Sequence, residues 1–149
     1  MKRAVFQGPL GPLTVSEDAG KIVALGWRDD PGEGSPLLDE ALRQVAAYFD
    51  RRLTVFDLPL DFGTGFPEQV RRAMVAIPLG QTRTYGDIAR DLATQAQAVG
   101  QACGANPIPI IIPCHRVLAA TGLGGFSAKG GVETKVWLLK HEGAAGLLI

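Results

Sequence analysis

The sequence predicts an α+β protein of two small domains, and three observations carry that expectation. The N-terminal part alternates short strand-like runs with turn chemistry and then enters one helical pattern. A glycine-containing break follows at Asp61-Phe62-Gly63-Thr64-Gly65. Beyond the break the apolar spacing is helical, in several short pieces. A chain of 149 residues with 46% hydrophobic side chains has the length for two small domains and the material for their cores. The division is placed between residues 1–62 and 63–149.

Arg3 to Phe6 reads as a strand. Leu13 to Val15 and Ile22 to Trp27 read as a hairpin around Asp18-Ala19-Gly20. Ser35 before Pro36 is an N-cap followed by proline at the first helical position. Leu38, Leu42, Val45, Ala46 and Phe49 continue at helical spacing, which predicts a helix over 36–52. Val55 to Leu60 is expected to be extended, because Pro59 opposes a helix there. This first domain holds no catalytic cluster and reads as a scaffold. After the break, Val70, Met74 and Ile77 share one face of a helix from about Pro67 to Ala76, stopped by Pro78-Leu79-Gly80. Thr84 and Asp87 form a capping-box pair that starts a helix through Leu92. Gln95 to Ala105 forms the next helix, and the pair suggests a helix-turn-helix. The second helix is lined by small residues, Ala96, Ala98, Gly100 and Gly104. They suit either close packing on a neighbouring helix or close approach to a groove floor. Ile108 to Ile112 is expected to be a buried extended segment. Ala119 to Gly131 is a glycine-rich loop. Val132 to His141 is a last helix with Val132, Val136 and Leu139 as apolar positions, capped by Gly143.

Composition excludes several classes. The apolar stretch near Ile110 is broken by Pro109 and Pro113, so it cannot span a bilayer, and the N-terminus lacks the apolar segment of a signal peptide. The expected location is the cytoplasm. Cys103 and Cys114 are poor material for a disulfide in that compartment, and no ligand spacing with His115 or His141 supports a metal. Net charge is zero, but its distribution is uneven. Residues 1–63 carry 7 Lys and Arg against 10 Asp and Glu, a balance of −3; residues 64–149 carry 8 against 5, a balance of +3. The second part is therefore the one suited to a polyanion, although ordinary surface variation gives the same asymmetry.

The chemistry concentrates in Asn106-Pro107-Ile108-Pro109-Ile110-Ile111-Ile112-Pro113-Cys114-His115-Arg116-Val117, where reactive residues directly follow an apolar, proline-rich run. A buried cysteine is commonly a small hydrophobe. A cysteine with a histidine in reach can be activated as a nucleophile. Adjacent residues often point apart, so Cys-His alone does not decide between the two.

The whole string resembles the active-site motif of the O6-alkylguanine-DNA alkyltransferases, the methylated-DNA–protein-cysteine methyltransferases. Gly80-Gln81-Thr82-Arg83-Thr84-Tyr85-Gly86-Asp87-Ile88-Ala89 resembles that family's first helix-turn-helix segment. Ala98-Val99-Gly100-Gln101-Ala102 resembles its recognition helix, and Gly124-Gly125-Phe126-Ser127 its substrate loop. Trp137-Leu138-Leu139-Lys140-His141-Glu142-Gly143 resembles its C-terminal helix. The likeness is strong over residues 62–145 and only general before that. Ordered motifs together are far more specific than any one of them.

The resemblance implies an N-terminal ribonuclease H-like α/β domain and a mainly helical, winged helix-turn-helix-like C-terminal domain. It implies a monomer that flips an O6-alkylguanine from double-stranded DNA through the minor groove. The alkyl group then passes irreversibly to Cys114 without a cofactor or a metal, and O4-alkylthymine is a second substrate the resemblance allows. His115 would take the Cys114 proton through a water, Glu142 would orient His115, and Asn106 would brace the turn. Tyr85, Val117, Gly125 and Ser127 would form the base pocket. Thr84, Ala96, Gln97, Ala98, Gly100, Gln101 and Arg116 would face DNA, with an internal ion pair as the alternative for Arg116. His141 would be exposed on the last turn. The family places an arginine where this chain has Gln97, which lacks the charge and planar fork of guanidinium and puts flipping efficiency in question. The loop after Ser127 also departs from the pattern.

Three other functions compete. Relatives that bind the lesion without repairing it lack the nucleophilic cysteine, whereas Cys114 is present. A helix-turn-helix regulator needs side chains for base edges in the major groove, and the second helix offers few. A cysteine hydrolase would turn over repeatedly on a small substrate.

Overall fold

A computed structural model describes residues 1–126 and 129–144. The chain divides into two compact units, Met1–Asp61 and Phe62–Ile149.

In the first unit, β1 (Lys2–Gly8), β2 (Gly11–Asp18) and β3 (Lys21–Gly26) form an antiparallel meander in sequence order. The β2–β3 turn places Ala19 and Gly20 at φ 50° and 77°, the left-handed pair that matches strand twist in a two-residue hairpin. Helix α1 (Pro36–Phe49) packs on β1 and β2 and buries Leu38, Ala41, Val45 and Tyr48. Its cap is the expected one: the Ser35 hydroxyl accepts from the Leu38 amide at 3.0 Å. The helix ends at Phe49, short of the expected 52. Arg51 turns left-handed at φ 61°, and the Arg51 and Arg52 amides fold back onto the carbonyls of Tyr48 and Ala47. That is a Schellman end made without glycine, which is why composition hid it. Leu60 bridges in parallel to Ile22, so the segment after α1 returns to the sheet.

In the second unit, α2 (Gly65–Val75) starts two residues before Pro67, which sits in the first turn where its missing N–H costs nothing. Helices α3 (Tyr85–Asp91) and α4 (Ala96–Gly104) pack on one another around a turn through Ala93 at φ 54°. Between α2 and α3 lies β4 (Arg83–Thr84), which pairs in parallel with β5 (Val117–Leu118). Residues 108–112 are buried as expected but not extended. They fold as consecutive turns, with the Ile112 amide on the Ile108 carbonyl at 2.9 Å and Ile110 at φ 71°. Prolines at 107, 109 and 113 remove the amide donors a strand would need, so the apolar run signalled burial and not β structure. Helix α5 (Val132–His141) closes on a Schellman motif through Gly143 at φ 83°. Its buried face is Thr134, Lys135, Leu138 and Leu139. Val132, expected on the apolar face, is 44% exposed.

Candidate active site

Cys114 begins a single 3-10 turn, Cys114–Arg116, between the turns of 108–112 and β5. Asn106 holds this corner from within. Its amide nitrogen donates to the Ile112 carbonyl at 2.9 Å, and its oxygen accepts from the Ile108 amide at 3.1 Å. The same side chain also favours the Cys114 thiolate. Burial pushes that thiol up from its ordinary value. The Asn106 contact, the Lys135 charge and the amides of Cys114 and His115 oppose the rise without cancelling it. At rest the sulfur is therefore protonated and needs a base.

His115, fully buried, meets Glu142 with Nε2 at 2.6 Å from Oε2. Arg116 grips the same carboxylate, Nε at 2.8 Å from Oε1 and a terminal nitrogen at 3.1 Å from Oε2, while its other nitrogen donates to the Ile77 carbonyl at 2.7 Å. Burial pushes the Glu142 carboxyl up, but hydrogen bonds and charge from His115 and Arg116 outweigh it and hold it at about 2. Arg116 alone is a permanent cation, so Glu142 stays ionised while His115 is neutral. Burial lowers His115; the Glu142 contact resists, and the charges of Arg116 and Lys135 lower it further. With Nε2–H donating to Glu142, the neutral ring presents a lone pair at Nδ1. That atom is buried and has no hydrogen-bond partner among the described residues.

Two residues to which the sequence assigned no individual role complete the site. Lys135 is 0% exposed, and its ammonium donates to the Val117 carbonyl at 2.7 Å and the Gly125 carbonyl at 3.2 Å. It clasps the reactive strand to the glycine-rich loop and lies 5.9 Å from the centre of the Tyr85 ring. Its signal was present: Lys135, Leu138, Leu139 and Glu142 form an i, i+3, i+4, i+7 stripe, with a lysine where an apolar residue belongs. Gly124, at φ 73°, is the second. A Cβ there would stand 2.8 Å from the Tyr85 hydroxyl. Tyr85 is placed by the Thr84–Asp87 capping box, closed in both directions, and by the pairing of Thr84 with Leu118. Burial raises the Tyr85 phenol, which keeps its proton.

These elements enclose a pocket of about 360 Å³ lined by Tyr85, Gly100, Cys103, Gly104, Cys114, Gly125 and Phe126. Helix α4 thus forms one wall. Val99, Ala102 and Cys103 face inward, Ala96, Gln97 and Gln101 are exposed, and Ala98 and Gly100 are half-buried. A Cβ on Gly100 or Gly104 would meet nothing within 4 Å, so close helix packing does not explain these small residues. The site draws together Cys114, His115, Glu142, Asn106, Tyr85 and Gly125, with the Val117 carbonyl bound by Lys135. Ser127 lies outside the described residues. Arg116, 6% exposed and spent on Glu142 and Ile77, is the internal ion pair and does not face DNA. His141 is half-buried and stacked on Trp137 at 4.9 Å. Both cysteines are free.

Comparison with known proteins gives the family. Residues 65–144 match the DNA binding domain of 6-O-methylguanine DNA methyltransferase, and residues 1–62 match its ribonuclease-like domain. The chain belongs to the 6-O-methylguanine DNA methyltransferase family. A methylated-DNA–protein-cysteine methyltransferase of Mycobacterium tuberculosis is 41% identical over 92% of this chain and 89% of its own length. One from Methanosarcina acetivorans is 38% identical over 97% of this chain and 99% of its own. The crystal structure of the Mycobacterium tuberculosis protein OGT in complex with DNA superposes with a TM-score of 0.84 at 39% identity. It covers 97% of this chain and 94% of that one. The α+β architecture with a ribonuclease-like first domain and a DNA-binding second domain agrees with the sequence expectation.

Proposed function

We propose that the protein repairs DNA by taking the alkyl group of an O6-alkylguanine onto Cys114 in one irreversible step. The observation that carries this reading is the pocket with Cys114 in its wall and the buried His115–Glu142–Arg116 chain behind it. A thiol raised by burial needs a base at the moment of attack, and the free Nδ1 of a neutral His115 supplies one, directly or through one water. The sulfur attacks the alkyl carbon, the carbon–O6 bond breaks, and its electron pair leaves with guanine. The thiol proton passes to His115, the leaving guanine takes a proton from the Tyr85 hydroxyl, and the imidazolium proton returns through water to restore Tyr85. The Glu142 carboxylate stabilises the imidazolium. A thioether has no route back to thiol here, so each molecule acts once.

The base reaches the pocket by leaving the duplex, at a cost of roughly a few kcal/mol. Helix α4 is pocket wall and exposed surface at once, so a nucleotide lifted out beside it has a short path to Cys114. Its small and neutral residues, the exposed Ala96, Gln97 and Gln101 and the half-buried Ala98 and Gly100, suit a minor groove read with little sequence preference. Gln97 would fill the vacated stack, and Thr84 at the α3 cap would meet the backbone. The chain acts as a monomer in this reading.

Titration of the protein against a duplex with one O6-methylguanine tests it. One methyl should leave the DNA per protein molecule, with no further turnover. Cys114→Ser should abolish transfer while retaining preference for the lesion. Sustained turnover by one molecule would overturn the proposal.

A further inference from the structure

The groups that alkyl transfer would use are not specific to an alkyl carbon. His115 Nδ1 is buried and has no hydrogen-bond partner among the described residues, and the other ring nitrogen is fixed on Glu142 at 2.6 Å. Arg116 holds Glu142 in turn at 2.8 Å, so the carboxylate keeps its charge while the ring gains and loses a proton. Such a base can act twice, first on a thiol and then on a water. Tyr85 lines the same pocket as Cys114, and burial raises its phenol, which keeps its proton. A neutral phenol in the wall is a donor for an oxygen that becomes negative. The Lys135 ammonium, 5.9 Å from the Tyr85 ring, adds positive charge nearby. Nucleophile, base, orienting carboxylate and oxyanion donor thus belong to one cavity of about 360 Å³ and the buried chain behind it.

We propose that the protein has a second activity, the hydrolysis of small aryl esters through an acyl-Cys114 intermediate. The inference rests on the assignment of Cys114 as nucleophile in the proposed repair. An aryl ester repeats the order of atoms in an O6-alkylguanine: an aromatic ring, an oxygen, then the electrophilic carbon. The sulfur attacks the carbonyl carbon, and the thiol proton passes to His115. The carbonyl oxygen takes the negative charge and accepts a hydrogen bond from the Tyr85 hydroxyl. The bond between that carbon and the aryl oxygen then breaks, its electron pair leaves with the oxygen, and His115 gives its proton to make the phenol. From here the two reactions differ. The carbon of a thioether is saturated and its sulfur leaves poorly, so water does not displace it. The carbon of a thioester is open to attack. A water that gives its proton to His115 adds to it, the carbon–sulfur bond breaks, and the thiolate recovers that proton as a carboxylic acid departs. The site therefore acts once on an alkyl group and repeatedly on an acyl group.

The probe is p-nitrophenyl acetate in excess over the protein, with nitrophenol release followed by absorbance and the acyl state of the chain by intact mass. Many equivalents of nitrophenol should be released per chain, roughly 10²-fold or more faster than from Cys114→Ala. Tyr85→Phe should slow release roughly 10²-fold, the loss expected for one oxyanion donor. Prior methylation of the protein by an O6-methylguanine duplex should abolish release, because both reactions use one sulfur. Release at the same rate from Cys114→Ala, or one equivalent followed by a stable acetyl on Cys114, would overturn the second activity. The same preparation is also titrated with the O6-methylguanine duplex. Methyl uptake without ester hydrolysis would overturn the second activity and leave repair standing, whereas ester hydrolysis without methyl uptake would overturn repair.

Discussion

The two units bury polar groups of different kinds. Among the described residues of the first unit the buried polar side chains are Thr14, Ser16 and Gln44, all neutral. The Thr14 hydroxyl serves backbone at Arg28 and Asp30, and Gln44 makes a two-sided bond with the backbone of Asp57. These contacts close loops onto a sheet. The second unit buries His115, Arg116, Lys135 and Glu142 together around one cysteine. Burying charge is costly unless it is paired, and a fold gains little stability from such pairs over apolar packing. Polarity in the first unit is explained by its backbone, and polarity in the second by the reaction.

The largest effect should come from breaking the charged chain. Glu142→Gln removes the partner of both His115 and Arg116, and transfer should slow by roughly 10²–10⁴-fold, measured on duplex under single-turnover conditions. DNA affinity should hardly change, because Glu142 is buried. The same variant should lose acid-sensitive stability. A carboxylate held at about 2 when folded, against an ordinary value of 4.5, contributes stability that is present above pH 4.5 and lost as pH falls toward 2. Denaturant unfolding of both proteins across this window should show the unaltered protein losing its advantage, and parallel curves would contradict the assignment. His115 has the same sign for a different reason. Its folded value is lowered, so protonation opposes the fold as pH drops below about 6.5.

Gln97→Ala should come next, with a loss confined to duplex DNA. A side chain that fills the vacated stack offsets part of a flipping cost of roughly a few kcal/mol. Repair of duplex should therefore fall well below reaction with free O6-benzylguanine, where nothing is flipped, and Gln97→Arg should hold or raise the duplex rate with steeper salt dependence. Equal losses on both substrates would place Gln97 in the pocket or the fold.

The smallest effect sharpens the comparison most. Ser35→Ala and Thr84→Ala each remove a helix N-cap and should each cost about 1 kcal/mol of stability. Ser35 caps a scaffold helix, so transfer should be unaffected. Thr84 places Tyr85, so transfer should slow as well. Equal transfer in both would show that the Thr84 cap is scaffold too.

The sequence made local signals legible and left the long-range ones hidden. Ser35, the Thr84–Asp87 box and Gly143 stop and start helices through neighbours a few residues away, and each is in place. The end of α1 was hidden because Arg51 takes a left-handed conformation that composition does not mark. The pairing of β4 with β5 joins residues far apart through strands of two residues each, too short for any periodicity. Lys135 was hidden by the rule that lysines lie outside. The positive excess of the second part also shrinks on folding. Arg116, Lys135 and Glu142 are buried, which leaves 6 cations against 4 carboxylates in residues 64–149 to face solvent. In the proposed function, affinity for DNA would therefore rest more on the shape of α4 than on net charge.

The most direct test is where the alkyl group ends. Both thiols line the same pocket and both feel the Lys135 charge, but among the described residues it is Cys114 that has Asn106 and His115 beside it. After reaction with a duplex containing O6-methylguanine, intact mass and fragment mapping should show one hydrogen replaced by one methyl, on Cys114, with Cys103 unmodified. A methyl on Cys103, more than one methyl per chain, or loss of methyl from DNA with the protein unchanged would contradict the account.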